Sequence, residues 1–131
     1  MTKIYNAVNL IIINKNNEVL LIKRNSNENV EPNKWCIPGG TVEDLENFEE
    51  GVKREILEEV GTEIIEYKYF KSYYANIIQP VRAVYFTGKI NENNIKLNQE
   101  ATEFKWFNKE NINEINIAFN QKEILNEFFK N

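Results

Sequence analysis

Gly39 to Thr62 reads GGTVEDLENFEEGVKREILEEVGT, and the spacing of its glycine, apolar and acidic residues decides how the rest of the chain is read. Asn47 with Glu50 three residues on has the form of a capping box, and Gly61 stands where a left-handed C-terminal cap belongs. Together they predict a helix from about Phe48 to Val60. Val52, Ile56 and Val60 recur every four residues and supply its buried stripe. Glu55, Glu58 and Glu59, at i, i+3 and i+4, share one edge beside it. The bland reading of three such acids is a solvated face. Against it, like charges at these spacings each destabilise a helix by roughly 0.2–0.5 kcal/mol. Acids in the last turns also oppose the helix macrodipole, and no Lys or Arg follows them before Gly61. A divalent cation would offset these costs, because hard cations take oxygen ligands and bridge carboxylates to phosphates.

Composition narrows the chemistry further. At 131 residues the chain is read as one domain, 1–131, with a hydrophobic fraction of 42% that supports a globular core. No apolar run approaches 18 residues, and the apolar segment from Ala7 to Ile13 lacks the basic lead of a signal peptide. A cytoplasmic location is expected. The single cysteine, Cys36, excludes an internal disulfide and reads as a packed thiol. The absence of histidine removes imidazole acid–base work and His-ligated zinc. Chemistry must therefore run on carboxylates, amines and metal. A net charge of −4 argues against a nucleic-acid partner but not against a small phosphate ligand held through a cation. It leaves room for a homodimer.

Outward from the central helix, IYNAVNLIIIN and VLLIK flank an Asn-rich turn and read as a hairpin. Residues 25–34 are polar and turn-rich, so a loop precedes Trp35. Glu63 to Tyr74 and Val81 to Ile90 have strand composition. Thr102 to Phe107 alternates, which predicts a half-buried strand with Phe104 and Trp106 on one face. Asn120 and Glu123 form a second capping box, before a C-terminal helix with Ile124, Leu125, Phe128 and Phe129 on one side. Arg24, at the end of the second strand, is either a surface cation or a bidentate phosphate contact.

The pattern G-x5-E-x7-R-E-(apolar)-x-E-E-x-G, from Gly40 through Glu46 to Gly61, resembles the signature of the Nudix hydrolases, and the W-x-x-P-G-G entry at Trp35 to Gly40 is shared as well. Leu45, Gly51 and Thr62 depart from the residues most often found there, and none is a ligand position. The resemblance implies an α+β Nudix fold, an α/β/α sandwich around a central mixed β-sheet. It implies Glu55 and Glu59 as direct Mg²⁺ ligands, Glu58 as a direct or water-mediated one, and the Gly40 carbonyl as another, with Mn²⁺ able to substitute. Arg54 would orient a neighbouring carboxylate, Glu46 would brace the loop against the helix, and Gly39 would lie on the substrate side. The plain alternative for Glu46 and Arg54 is a structural ion pair.

The reaction implied is hydrolysis of a phosphoanhydride in a nucleoside diphosphate linked to another moiety, foremost a (d)NTP. ADP-ribose, dinucleoside polyphosphates and nucleotide sugars are alternatives. A non-catalytic nucleotide-binding regulator is the reading from another class, although such modules normally lose box carboxylates. The resemblance implies a general base at Glu55 or at an acid before the late strand, where Glu100 and Glu103 form E-x-x-E-x-x-W with Trp106. Loop position favours Glu100, and Glu103 is a candidate metal ligand. The resemblance implies that Asn120 reads a purine edge, beside the plain reading of the same residue as a helix cap.

Overall fold

A computed structural model describes residues 3–130. The single-domain range 1–131 also takes in Met1, Thr2 and Asn131, which lie outside the described residues. Among the described residues, seven strands and two α-helices follow in the order β1 (Tyr5–Ile12), β2 (Val19–Arg24), β3 (Trp35–Cys36), β4 (Gly39–Thr41), α1 (Phe48–Val60), β5 (Ile64–Asn76), β6 (Pro80–Ile90), β7 (Ala101–Phe107) and α2 (Gln121–Phe129). One sheet is mixed, ordered β4-β1-β6-β5, with β1 and β6 parallel along eight residue pairs. The other is antiparallel, ordered β3-β2-β7.

The period-2 alternation of strand side chains sorts the core into two layers. Val8, Leu10, Ile12, Leu20, Val84 and Phe86 pack with Val52, Ile56 and Val60 of α1. Their sequence neighbours Ile11, Val19, Leu21 and Tyr85 pack with Ile124 and Leu125 of α2. Helices thus cover both faces of the strands, and the expected α+β architecture is present. Apolar residues on both faces explain why LIII and VLLI are continuous hydrophobic runs rather than alternating ones. No helix among the described residues is long and apolar enough to cross a membrane.

Three local expectations need correction. The β1–β2 hairpin exists only at its turn, as the Ile13–Val19 bridge and the Asn14 N–H to Glu18 carbonyl bond at 3.1 Å. Beyond it the two strands enter different sheets, because β1 already has β4 on one edge and β6 on the other. On β7 it is Phe107 that is buried, at 3% exposure, while Phe104 is 41% exposed. Trp106 and Phe107 pack into the layers on opposite sides of the strands, so both faces are used at its end. At α2 the capping box does not form: Asn120 has φ −97° and ψ 17° instead of the extended backbone a cap requires, and its side chain makes no cap bond.

α1 spans the expected residues. The Glu50 carboxylate accepts the Asn47 backbone N–H at 3.0 Å, and Gly61 closes the helix at φ 75° with its N–H on the Leu57 carbonyl at 3.1 Å.

Candidate active site

Burying Val52, Ile56 and Val60 turns the acidic edge of α1 toward β4, which runs alongside β1. Glu59 is the innermost acid, 8% exposed, and its Oε1 accepts the Gly39 backbone N–H at 2.7 Å. Burial pushes its carboxyl up to about 8, against the lowering effect of the Gly39 bond, and the charges of Glu55 and Glu100 push the same way. Glu55 is half-buried and also shifted upward, chiefly by desolvation, with Arg54 opposing. Its carboxylate lies against Gly40, where an added Cβ would stand 2.5 Å from Glu55 Oε2. Any side chain at residue 40 would therefore displace the acid.

Arg54 ties this edge together. Its Nε and one terminal nitrogen donate to the two oxygens of Glu46 at 2.7 and 2.9 Å, and the other terminal nitrogen donates to Glu55 Oε1 at 2.9 Å and more weakly to Glu58 at 3.4 Å. It also reaches the Thr41 carbonyl at 3.1 Å. The bidentate pair holds the Glu46 carboxyl down to about 2, helped by the Glu43 N–H. Arg54 is thus a brace between the β4–α1 loop and the acids, and Glu46 is the residue that aims it.

Beside Gly39 and Glu59 opens a cleft of about 330 Å³. Its floor is the β1–β6 surface at Ala7 and Ala83, and its walls include Tyr73, Tyr85, Phe119 and the β5–β6 loop at Ile77 and Ile78. Arg24 lines it too, held by the Val30 carbonyl at 3.0 Å and lying over the Phe119 ring at 5.5 Å. Asn120 lines the cleft with no cap bond to engage it. Gln121 had no sequence signal, yet it is 5% exposed and links the chain: Oε1 accepts the Ile37 N–H at 2.8 Å and Nε2 donates to the Tyr85 hydroxyl at 3.2 Å. Tyr73, Tyr85 and Phe119 were likewise silent in the sequence, because nothing local marks which aromatics face a cleft.

The two late acids part company. Glu100 sits in the loop before β7 and acts electrostatically on both Glu55 and Glu59. Glu103 is exposed on β7 in register with Lys23 and is not among the charges bearing most on either acid. Among the described residues no three acidic side chains already converge as a closed ligand set, and Arg54 pairs with both Glu55 and Glu58.

A NUDIX domain profile matches residues 3–128. The chain belongs to the Nudix hydrolase family. It is 33% identical to an ADP-ribose pyrophosphatase of Methanocaldococcus jannaschii over 91% of this chain and 70% of that protein. It is 29% identical to the nucleoside triphosphatase NudI of an Enterobacter species over 87% of this chain and 94% of that one. Against Nudix hydrolase 5 of Arabidopsis thaliana it is 27% identical and spans 42% of that protein's length. The solved structure of a MutT protein from Methanosarcina mazei superposes with a TM-score of 0.86 at 28% identity, covering 98% of this chain and 94% of that one. This Nudix domain is thus an enzyme of a family that generally uses divalent metal ions and acts on small nucleotides.

Proposed function

We propose that this Nudix hydrolase uses Mg²⁺ to cleave a phosphoanhydride bond in a nucleoside diphosphate linked to a further group, with a (d)NTP as the foremost substrate. The observation that carries the reading is Glu59: a carboxylate buried at the edge of a cleft, with one backbone N–H for a partner and a second acid, Glu55, beside it. A buried acid so poorly compensated fits a cation. The donors are all oxygens, which suits Mg²⁺ or Mn²⁺. Glu55, Glu59 and the Gly40 carbonyl would hold the metal, with Glu58 directly or through water. Bound there, it would neutralise phosphate oxygens and acidify a water.

The chain's own groups supply the rest. Arg54 and Glu46 keep Glu55 and Glu58 aimed, so positional entropy is spent in folding rather than at the transition state. Glu100, or Glu55, takes the proton of the attacking water, whose oxygen bonds to phosphorus as the bridging P–O bond breaks and the leaving phosphate departs with that electron pair. Arg24 meets a phosphate from the cleft side, and the aromatic and aliphatic walls receive the nucleoside. Asn120, freed from capping, offers an amide to a base edge. Glu103 is the weakest candidate ligand, given its exposed place on β7. A second reading, ADP-ribose, is favoured by the Methanocaldococcus relative's name alone.

A screen with Mg²⁺ and Mn²⁺ over nucleoside triphosphates, ADP-ribose, dinucleoside polyphosphates and nucleotide sugars tests the reading. Glu59→Gln keeps the acceptor for Gly39 and removes the charge. On the best substrate it should lower kcat by at least about a hundredfold without unfolding the protein. Near-wild-type turnover in that variant would overturn the site assignment.

A further inference from the structure

β1 is apolar from Val8 to Ile12 except at Asn9, which is 7% exposed in the middle of the strand. Its side chain lies on the α2 side with those of Ala7 and Ile11, and it lines the cleft. Among the described residues its carboxamide has no hydrogen-bond partner, yet its polar atoms are not sealed from solvent, so they open on the cleft. A buried amide without a partner costs stability. The neighbouring Ile11 shows that this face of β1 accepts an aliphatic residue. The other buried amide of the cleft, Gln121, is engaged at both its oxygen and its nitrogen, by Ile37 and Tyr85.

The register shows what Asn9 faces. It stands between Gly39 on β4 and Tyr85 on β6, and two residues back Ala7 stands beside Ala83, which in turn faces Tyr73 on β5. Two adjacent alanines make a flat floor bounded by aromatic rings, suited to a planar heterocycle. Two strand residues span about 6.6 Å, roughly the distance from the centre of a purine to a hydrogen-bond partner at its edge. A carboxamide presents a donor and an acceptor side by side, the complement of a nucleobase edge.

We infer that Asn9 is a specificity-determining residue that hydrogen-bonds the edge of a nucleobase lying on the Ala7–Ala83 floor. The inference rests on the nucleotide-hydrolase reading, and its test separates the two. Binding of nucleoside monophosphates and of ribose 5-phosphate to the Mg²⁺-loaded protein is measured by calorimetry, beside melting curves, for the wild type and for Asn9→Leu, which has the same number and branching of side-chain heavy atoms but is bulkier and has no polar atoms. The variant should bind the preferred monophosphate about tenfold or more weakly, the scale of a lost buried polar contact. Its affinity for ribose 5-phosphate should be unchanged, and its Tm equal or higher. Asn9→Ala should show the same affinity pattern and guards against misfolding by Leu. Unchanged monophosphate affinity, an equal loss for ribose 5-phosphate, or a lowered Tm in Asn9→Leu with binding intact would each overturn the role of Asn9, as would failure of every monophosphate to bind the wild type. Monophosphate binding that depends on Asn9 without any Mg²⁺-dependent hydrolysis would instead leave Asn9 standing and sink the enzymatic reading.

Discussion

Leu45 holds a left-handed backbone, φ 68°, with its side chain wholly in solvent. For a non-glycine residue that conformation costs roughly 1–2 kcal/mol, and glycine recovers it at an entropic cost of about 0.5–1 kcal/mol. Leu45→Gly should therefore stabilise the protein by about 0.5–1 kcal/mol, read as a raised denaturation midpoint with no change in kcat. Cys36 makes the opposite case, a residue settled by burial. The residue is 5% exposed and its thiol is pushed up to about 12, first by desolvation and then by Glu59. Thiolate is the reactive form, so a thiol reagent at neutral pH should label Cys36 only as fast as the protein opens. Prompt stoichiometric labelling of the native fold would contradict that environment.

At the scale of the element, α1 carries its acids because Arg54, on the same helix and anchored by Glu46 of the preceding loop, compensates them. Gly51 belongs to that brace: a Cβ there would stand 3.1 Å from Glu46 Oε1, so the glycine, costly within a helix, lets the Glu46–Arg54 pair lie close. The pair also sets an acid limit. Glu46 is depressed from 4.5 to about 2. Its contribution is fully present above pH 4.5, shrinks as the unfolded chain takes up the proton first, and is lost as pH falls through about 2. Glu46→Gln should therefore be less stable than wild type at neutral pH, and the difference should narrow between about pH 4.5 and 2. Parallel melting curves over that range check it. In α2 the helix begins without a side-chain cap at Asn120. Asn120→Ala should cost less than the ~1 kcal/mol of a working cap, while weakening whatever nucleotide the cleft accepts. A full cap-sized loss of stability would mean that the side chain caps the helix in solution.

For the whole molecule, the metal reading has a thermodynamic consequence. A cation that binds only the folded chain stabilises it by mass action, about 2.7 kcal/mol at one hundred times its Kd. Millimolar Mg²⁺ should raise Tm, and Glu59→Gln should abolish most of the rise; no shift, with calorimetry also silent, would favour a merely solvated acidic edge. What the sequence by itself determined was local. The capping residues Asn47, Glu50 and Gly61 bracket α1, the four-residue repeat orients it, and Glu55, Glu58 and Glu59 then share an edge because all three ride on one helix. Hydrogen bonds and side-chain periodicity within a few residues carry that information. Tertiary structure alone decided that β1 pairs with β6 and β4 rather than β2, because a strand's partners depend on which edges other segments have filled. It decided equally that Phe107 is buried where Phe104 is not, and that Asn120 lines a cleft instead of capping. The cleft itself draws Asn9, Tyr73, Tyr85, Phe119 and Gln121 from four elements and a loop. Only packing across those separations turns their side chains toward one space, and no periodicity within any one of them records it.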